Sequence, residues 1–461
     1  MKLKNTYLEI PEDDIFLNDR LKRKKSVDNL GGLLEKVSSP LVFSVNAPWG
    51  AGKTTFMRML HSSLAISEAK SIYFSAWETD FAVDPLLAFI GEMNAGLSIY
   101  IDGDREKSKA WAKAKAAGTH LMRRSIPVGV KLATAGLLDM DKIIEDETSK
   151  LTEALAKDVI DAYSKNKQAI SIFKENVAKV LKGEDGALGR MYIFVDELDR
   201  CRPTYAIELL ERIKHLLDIE GLVFILALDK QQLAHSVRAV YGADFDAVGY
   251  LKRFIDVEFT LPSADTNSFV DDLLAKFELD KYFASRKAGD TIHDKDSLLG
   301  MLRTVTHRMS LRNIEQLVAK VKLVSLAVKV NQYFYPEFVI FLLVVKEKYN
   351  DIYMEFSQEK SNGADLTTLL VEVIPGDELL WTRQYLAGVI ISGKMRAARS
   401  WSEDRIKALK EIYNSPQATE HQKNDAGRIL DVVDQTTKMG RGVPLQQILE
   451  RIDMLSDFEF N

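Results

Sequence analysis

Cysteine is almost missing from this chain: Cys201 is the one thiol in 461 residues. An intrachain disulfide and a four-cysteine zinc site are therefore excluded, and a reducing compartment fits. Long apolar runs are missing too. The most apolar stretches, residues 222–228 and 338–345, fall far short of the roughly 20 residues a membrane-crossing helix needs. No transmembrane segment is expected. The N-terminal stretch MKLKNTYLEIPEDDIF has no apolar core of the secretory kind, so a cytoplasmic protein is the expectation. Charge of one sign is scarce as well. A net charge of -5 gives no global electrostatic case for nucleic acid, and each basic stretch has to be judged alone. Low-complexity tracts and fixed-period repeats are absent.

What is present is the composition of a globular protein long enough for two or three domains. Continuous apolar segments at 41–45, 71–74, 191–195 and 222–228 read as strands of a parallel sheet buried on both faces. A basic run, Arg20 to Lys25, leads into an amphipathic helix over 26–37, and further helices are expected over 54–67 and 204–218. Residues 1–20 suggest a short strand and an acidic turn. From about 84 to 190 the pattern is helical, with Gly103, Gly118, Pro127 and the loop at 183–189 as punctuation. After Pro262 nearly everything reads as helix, divided near Gly289, Gly363 and Gly376. The expected fold class is α/β: a P-loop NTPase core, residues 1–83 and 191–265, carrying a helical insertion at 84–190. A helical lid (266–330) and a helical C-terminal domain (331–461) follow.

The segment Ala47, Pro48, Trp49, Gly50, Ala51, Gly52, Lys53, Thr54 and Thr55 lies between an expected strand and an expected helix, the context a phosphate-binding loop requires. Gly50 and Gly52 let main-chain N–H groups converge on phosphate where a side chain would block approach. The helix that follows presents its positive end to the same anions. Lys53 supplies a point charge for the β- and γ-phosphates, and Thr54 a hydroxyl for Mg2+. Alanine at 47 stands where the signature has its first glycine, a small cost if the backbone there has negative φ.

The strand at 191–195 runs straight into Asp196 and Glu197. Asp196 is placed to hold Mg2+ beside Thr54. Glu197 is placed to polarise the attacking water as general base. Successive residues at a strand end point to opposite faces, which separates the two tasks. For Asp199 and Arg200 a structural ion pair and a catalytic role both stay open; Arg202 or a neighbouring subunit are further partners.

These stretches, together with Phe74-Ser-Ala-Trp77-Glu78, Asp196-Glu-Leu-Asp-Arg-Cys-Arg-Pro203 and Tyr250-Leu-Lys-Arg-Phe254 leading to Leu261 and Pro262, resemble the KAP family of P-loop NTPases over residues 15–325. The resemblance implies an additional-strand core related in broad terms to AAA+ and STAND ATPases, with a large insertion between the two phosphate-site motifs. In many members that insertion carries transmembrane helices; here it carries none, which removes the support for a membrane role. The loop and the acidic strand end make ATP and Mg2+ the expected ligands, and a nucleotide-driven switch makes a homo-oligomer and a protein partner or effector the expectation. Bacterial members are associated with phage exclusion, which makes antiviral defence the expected setting.

Switch ATPases use a cation that sees the γ-phosphate. Arg253 is the first candidate, acting on its own or a neighbour's nucleotide, and Arg312, at the start of a lid-like helix, is the second. Each also has a reading as a surface arginine. Asp229, after the strand at 222–228, either senses the attacking water or caps the next helix. The run Arg20–Lys25 touches phosphate or the base-binding edge, or is a solvated face. Residues 105–115 with Trp111 invite a nucleic-acid reading, although their spacing favours an amphipathic helix with a basic outer face. An ATP-binding scaffold without turnover and a nucleic-acid-stimulated ATPase remain the alternatives to a switch driven by hydrolysis.

Overall fold

The structure, a computed structural model, describes residues 10–122, 164–285, 292–392, 399–438 and 443–457, except 12, 68, 83, 184–187, 217, 308, 330–331 and 361–362. Most of the strand expected within 1–20, Pro127, and the division near Gly289 lie outside the described residues; positions 15–18 and 20–21 form turns. The chain divides into two compact units at Ser263 and Ala264.

The first unit is built on a five-stranded sheet. Its strands are β1 (Leu41–Asn46), β2 (Lys70–Ser75), β3 (Met191–Asp196), β4 (Leu222–Leu228) and β5 (Val257–Thr260). All pairs are parallel, in the order β2-β3-β4-β1-β5. The continuous apolar runs are explained by what they face. Met191, Ile193 and Val195 of β3 and Leu222, Phe224 and Leu226 of β4 enter one core. Tyr192 and Phe194, with Val223, Ile225 and Ala227, enter the other. Alternation survives as two apolar faces rather than as apolar against polar. Helices α1 (Lys24–Leu34) and α2 (Lys53–Ile66) cover the second face. Helices Pro85–Ile101, Arg105–Met122, 164–181, Pro203–Leu216 and Lys230–Tyr241 cover the first.

Strand β5 has no counterpart in the sequence reading. Its four residues, Val-Glu-Phe-Thr, are largely exposed, so no apolar run marks it, and it is held by pairing with β1 alone. Gly118 likewise differs from expectation: it lies inside a helix instead of breaking one. A Cβ there would come 2.3 Å from Ile90 Cδ1, so the glycine allows helices Pro85–Ile101 and Arg105–Met122 to approach closely.

The second unit is helical, from Thr266–Lys276 to Leu445–Asp453. The apolar run at 338–345 is the middle of helix Pro336–Lys348 and is buried on all sides. Among the described residues no helix is long and apolar enough to cross a membrane. Glycines at positive φ, Gly363 and Gly376, mark the turns expected there.

The sheet centre sets the stability of the first unit. Phe224, 1% exposed and packed 6.0 Å from Phe89, is expected to cost about 3–5 kcal/mol when replaced by alanine. Urea unfolding of Phe224→Ala, followed by circular dichroism, measures it.

Candidate functional site

The strand register aligns the carboxyl ends. Asn46 of β1 sits opposite Leu228 of β4, and Ser75 of β2 opposite Asp196 of β3. Everything that leaves those ends meets at one edge of the sheet. From β1 the chain turns through Gly50 and Gly52, at φ 75° and 84°, into α2. Those values are open to glycine and costly for other residues. The first turn of α2 has no side-chain cap, so its leading N–H groups remain available to an anion. Thr54 and Thr55 are half-buried within that turn. The backbone at Ala47 does not enter the left-handed region, and its N–H bonds Leu228 O at 3.2 Å. Alanine therefore fits where the signature carries glycine.

Lys53 curls back over the loop, its Nζ donating to Ala47 O at 2.7 Å and Pro48 O at 3.3 Å. The same nitrogen lies 3.5 Å from Asp199 Oδ2. That oxygen also accepts the Trp49 indole N–H at 2.7 Å and the Asp229 main-chain N–H at 2.9 Å. Asp229 answers from the other side: its Oδ2 accepts the Trp49 main-chain N–H at 3.2 Å. Two carboxylates, one after β3 and one after β4, thus clamp both N–H groups of Trp49.

Asp196 is 2% exposed. Its Oδ2 accepts the Tyr73 hydroxyl at 2.6 Å and its Oδ1 the Glu197 N–H at 2.8 Å. Burial, and then the charge of Asp196, push the Tyr73 hydroxyl far above its ordinary value. Its proton therefore stays in place as a donor. Glu197 is not a strand residue. It adopts φ 60°, ψ 28°, a left-handed geometry that costs a non-glycine residue on the order of 1 kcal/mol. This turn, rather than the pleat, separates the two acids. Ser75 Oγ donates to Glu197 Oε2 at 2.8 Å, and Arg200 pairs with Oε1 at 2.8 Å. The Arg200 guanidinium lies over the Trp77 ring, 5.7 Å from its centroid.

The ambiguity of the Asp-Arg-Cys-Arg stretch resolves into separate pairings. Asp199 takes Lys53, Arg200 takes Glu197, and Arg202 takes Asp80 at 2.7 Å. Cys201 is buried, and burial raises its thiol well above the usual range. Asp229 caps helix Lys230–Tyr241 through Gln231 and Gln232 N–H as well as holding Trp49. Within the basic run, Arg23 departs from a solvated face: it is 4% exposed and donates to Pro262 O and to Ala51 O of the loop. Burial lowers its ordinary value, with Asp19 opposing. Lys22, Lys24 and Lys25 are exposed. Trp111 is 2% exposed, with its indole donating to Asn94 Oδ1 at 2.9 Å, so it offers no stacking surface.

Arg253 is exposed just past helix Ala247–Leu251. Arg312 is exposed in the first turn of helix Leu311–Leu326, in the second unit. Ser75 and Tyr73 are site-edge residues that sequence reasoning passed over. Their signal was the polar end of a strand destined to lie beside the acidic one.

A parallel sheet with a glycine loop and lysine after β1, an acidic pair after β3, and β4 between them defines a P-loop NTPase. Residues 23–328 match the model of the KAP family P-loop domain, well over half the chain, and the chain belongs to the KAP family. No curated protein matches it. Among solved structures it is similar to the Aeropyrum pernix ORC2 protein in its ADPNP–ADP complexes, with 12% identity, TM-score 0.31, and 95% of this chain and 94% of that one covered. It is similar also to Aeropyrum pernix ORC1 in complex with DNA, at 13% identity and TM-score 0.29, covering 91% and 84%. The third is AMPPCP-bound DnaA from Aquifex aeolicus, at 14% and 0.26, covering 97% and 96%.

Tyr73→Phe removes the hydroxyl donor of a buried carboxylate while keeping the ring. Hydrogen bonds to charged groups contribute about 1.5–3 kcal/mol, and a stability loss of that order is expected in urea melts of the variant.

Proposed function

We propose that this chain binds ATP with Mg2+ and hydrolyses it, the cycle acting as a conformational or oligomeric switch. The observation that carries the reading is the arrangement at the carboxyl edge of the sheet. Glu197 is held there by Ser75 and Arg200 beside Asp196, with β4 alone between its strand and the one that leads into the Lys53 loop. A scaffold that merely holds nucleotide has no need of a second, separately oriented carboxylate.

The residues fit the ligands. Uncapped N–H groups of α2, the two glycines at positive φ and the Lys53 ammonium suit a polyphosphate. The loop residues Pro48 to Thr55 would cradle it. The Thr54 hydroxyl and the Asp196 carboxylate would hold Mg2+, which supplies neutralisation of phosphate charge. Lys53 offsets charge on the β- and γ-phosphates. Glu197 takes a proton from the attacking water, and Ser75 and Arg200 fix the direction in which it does so. Asp229, engaged as a cap and with Trp49, orients the loop.

Arg253 is exposed and forms no salt bridge among the described residues. This supports its role as the cation for developing charge, on its own or a neighbouring subunit's nucleotide. Arg312 is the second such cation, carried by a lid at residues 266–330. In this reading 1–83 and 191–265 form the nucleotide core, 84–190 its insertion, and 331–461 the helical part that a protein partner reads. A homo-oligomer, a cytoplasmic location and antiviral defence complete the proposal. Nucleic acid is not favoured, given the net charge of -5 and the inward-facing Trp111.

Steady-state ATP hydrolysis across a range of protein concentrations tests it. Turnover is expected to rise more than linearly with protein, to fall at least about a hundredfold in Glu197→Gln, the scale of a lost general base, and to be lost in Lys53→Ala, which removes the charge facing the phosphates. Glu197→Gln should still bind ATP. Unchanged turnover in Glu197→Gln would falsify the enzymatic reading and leave a nucleotide-holding scaffold.

A further inference from the structure

An ammonium group has three N–H donors, and three protein oxygens surround the one on Lys53. They are Ala47 O at 2.7 Å, Pro48 O at 3.3 Å and Asp199 Oδ2 at 3.5 Å. The Asp199 side chain is 2% exposed and that of Lys53 10%, so this pair is poorly screened by solvent. Resting on the reading of the loop as an ATP site, we propose that Asp199 is the counter-charge that sets how tightly, and for how long, nucleotide is held. Phosphate and Asp199 compete for one ammonium.

A phosphate oxygen that takes a donor from Lys53 takes it most easily from the longest of the three contacts, the one to Asp199. The carboxylate then keeps two neutral donors, the Trp49 indole and the Asp229 N–H, and loses its cation. A buried charge in that condition is disfavoured, and the incoming phosphate adds like-charge repulsion. Binding is weakened and release is hastened. Asp199 touches neither the phosphates nor the water; it is a positioning residue that acts through Lys53. Trp49 registers the exchange, because its indole is bonded to the oxygen that gives the ammonium up.

The sign of the effect separates this role from a structural one. If Asp199 only braced the loop, its loss would weaken nucleotide binding. As a competitor, its neutral isostere strengthens it. The experiment is a calorimetric titration of the full chain and of Asp199→Asn with a non-hydrolysable ATP analogue and Mg2+. Tryptophan emission is recorded in parallel, and Trp49→Phe identifies the signal. The expected result is a Kd lower by about tenfold in Asp199→Asn, slower release of analogue, and an emission change in the unmodified chain that Trp49→Phe abolishes. Equal or weaker binding by folded Asp199→Asn overturns the proposal. Should that variant not fold, an emission change that survives in Trp49→Phe overturns it instead, and its disappearance supports it where calorimetry shows that Trp49→Phe still binds the analogue. A flat titration of the unmodified chain defeats the ATP reading itself, and is distinct from a failure at Asp199, where the unmodified chain still titrates.

Discussion

Every strand of the sheet runs in one direction, and the rest of the first unit follows from that constraint. Parallel strands need crossovers, and crossovers place helices on both faces. Both faces must then be apolar, which is why β3 and β4 carry no polar alternation before Asp196. Polar residues are pushed to the strand ends. Because the strands share a direction, their carboxyl ends share an edge, and residues far apart in sequence are delivered to one place. Trp49 and Asp199, or Ser75 and Glu197, meet there without any local sequence cue.

That edge collects four acidic side chains: Asp196, Glu197, Asp199 and Asp229, all buried. Like charges so close are tolerated because each has its own donors. Tyr73 and a main-chain N–H serve Asp196, a serine and an arginine serve Glu197, and an indole with a lysine serves Asp199. A helix N-terminus serves Asp229. The division follows backbone geometry. Asp196 ends the pleat, Glu197 turns left-handed, and the short 3-10 turn Leu198–Arg200 carries Asp199 toward β1 while returning Arg200 to Glu197. Removing one donor would leave a single carboxylate exposed to the field of its neighbours, so the network resists piecemeal change.

Much of this was legible in the sequence, for reasons of length and contrast. Strands 222–228 and 191–195 are unbroken apolar runs, and the glycine loop lies between a strand and a helix; neither depends on distant partners. What escaped depends on partners. Strand β5 is written in four mostly exposed residues and exists because β1 offers an edge. Arg23 belongs to a basic run of surface appearance, and only the chain's return at Pro262 makes it a buried clamp. The allegiance of Asp199 could not be read from its neighbours Arg200 and Arg202, since its partners are a lysine and a tryptophan from another strand's end. Gly118 reads as a break, and packing against Ile90 makes it a contact point.

The modest β5 has one more consequence. A parallel sheet ends in two open rows of main-chain donors and acceptors, and an open row is an invitation to any passing chain. Here the outermost row on the β1 side is only Val257–Thr260, with Glu258 in its middle. That carboxylate is pinned by Lys230 at 2.6 Å and by Asn46 at 3.1 Å. A strand so short, carrying a fixed charge, is a poor template for growth. The same residues that make β5 hard to find in the sequence make its edge a poor template for a sixth strand.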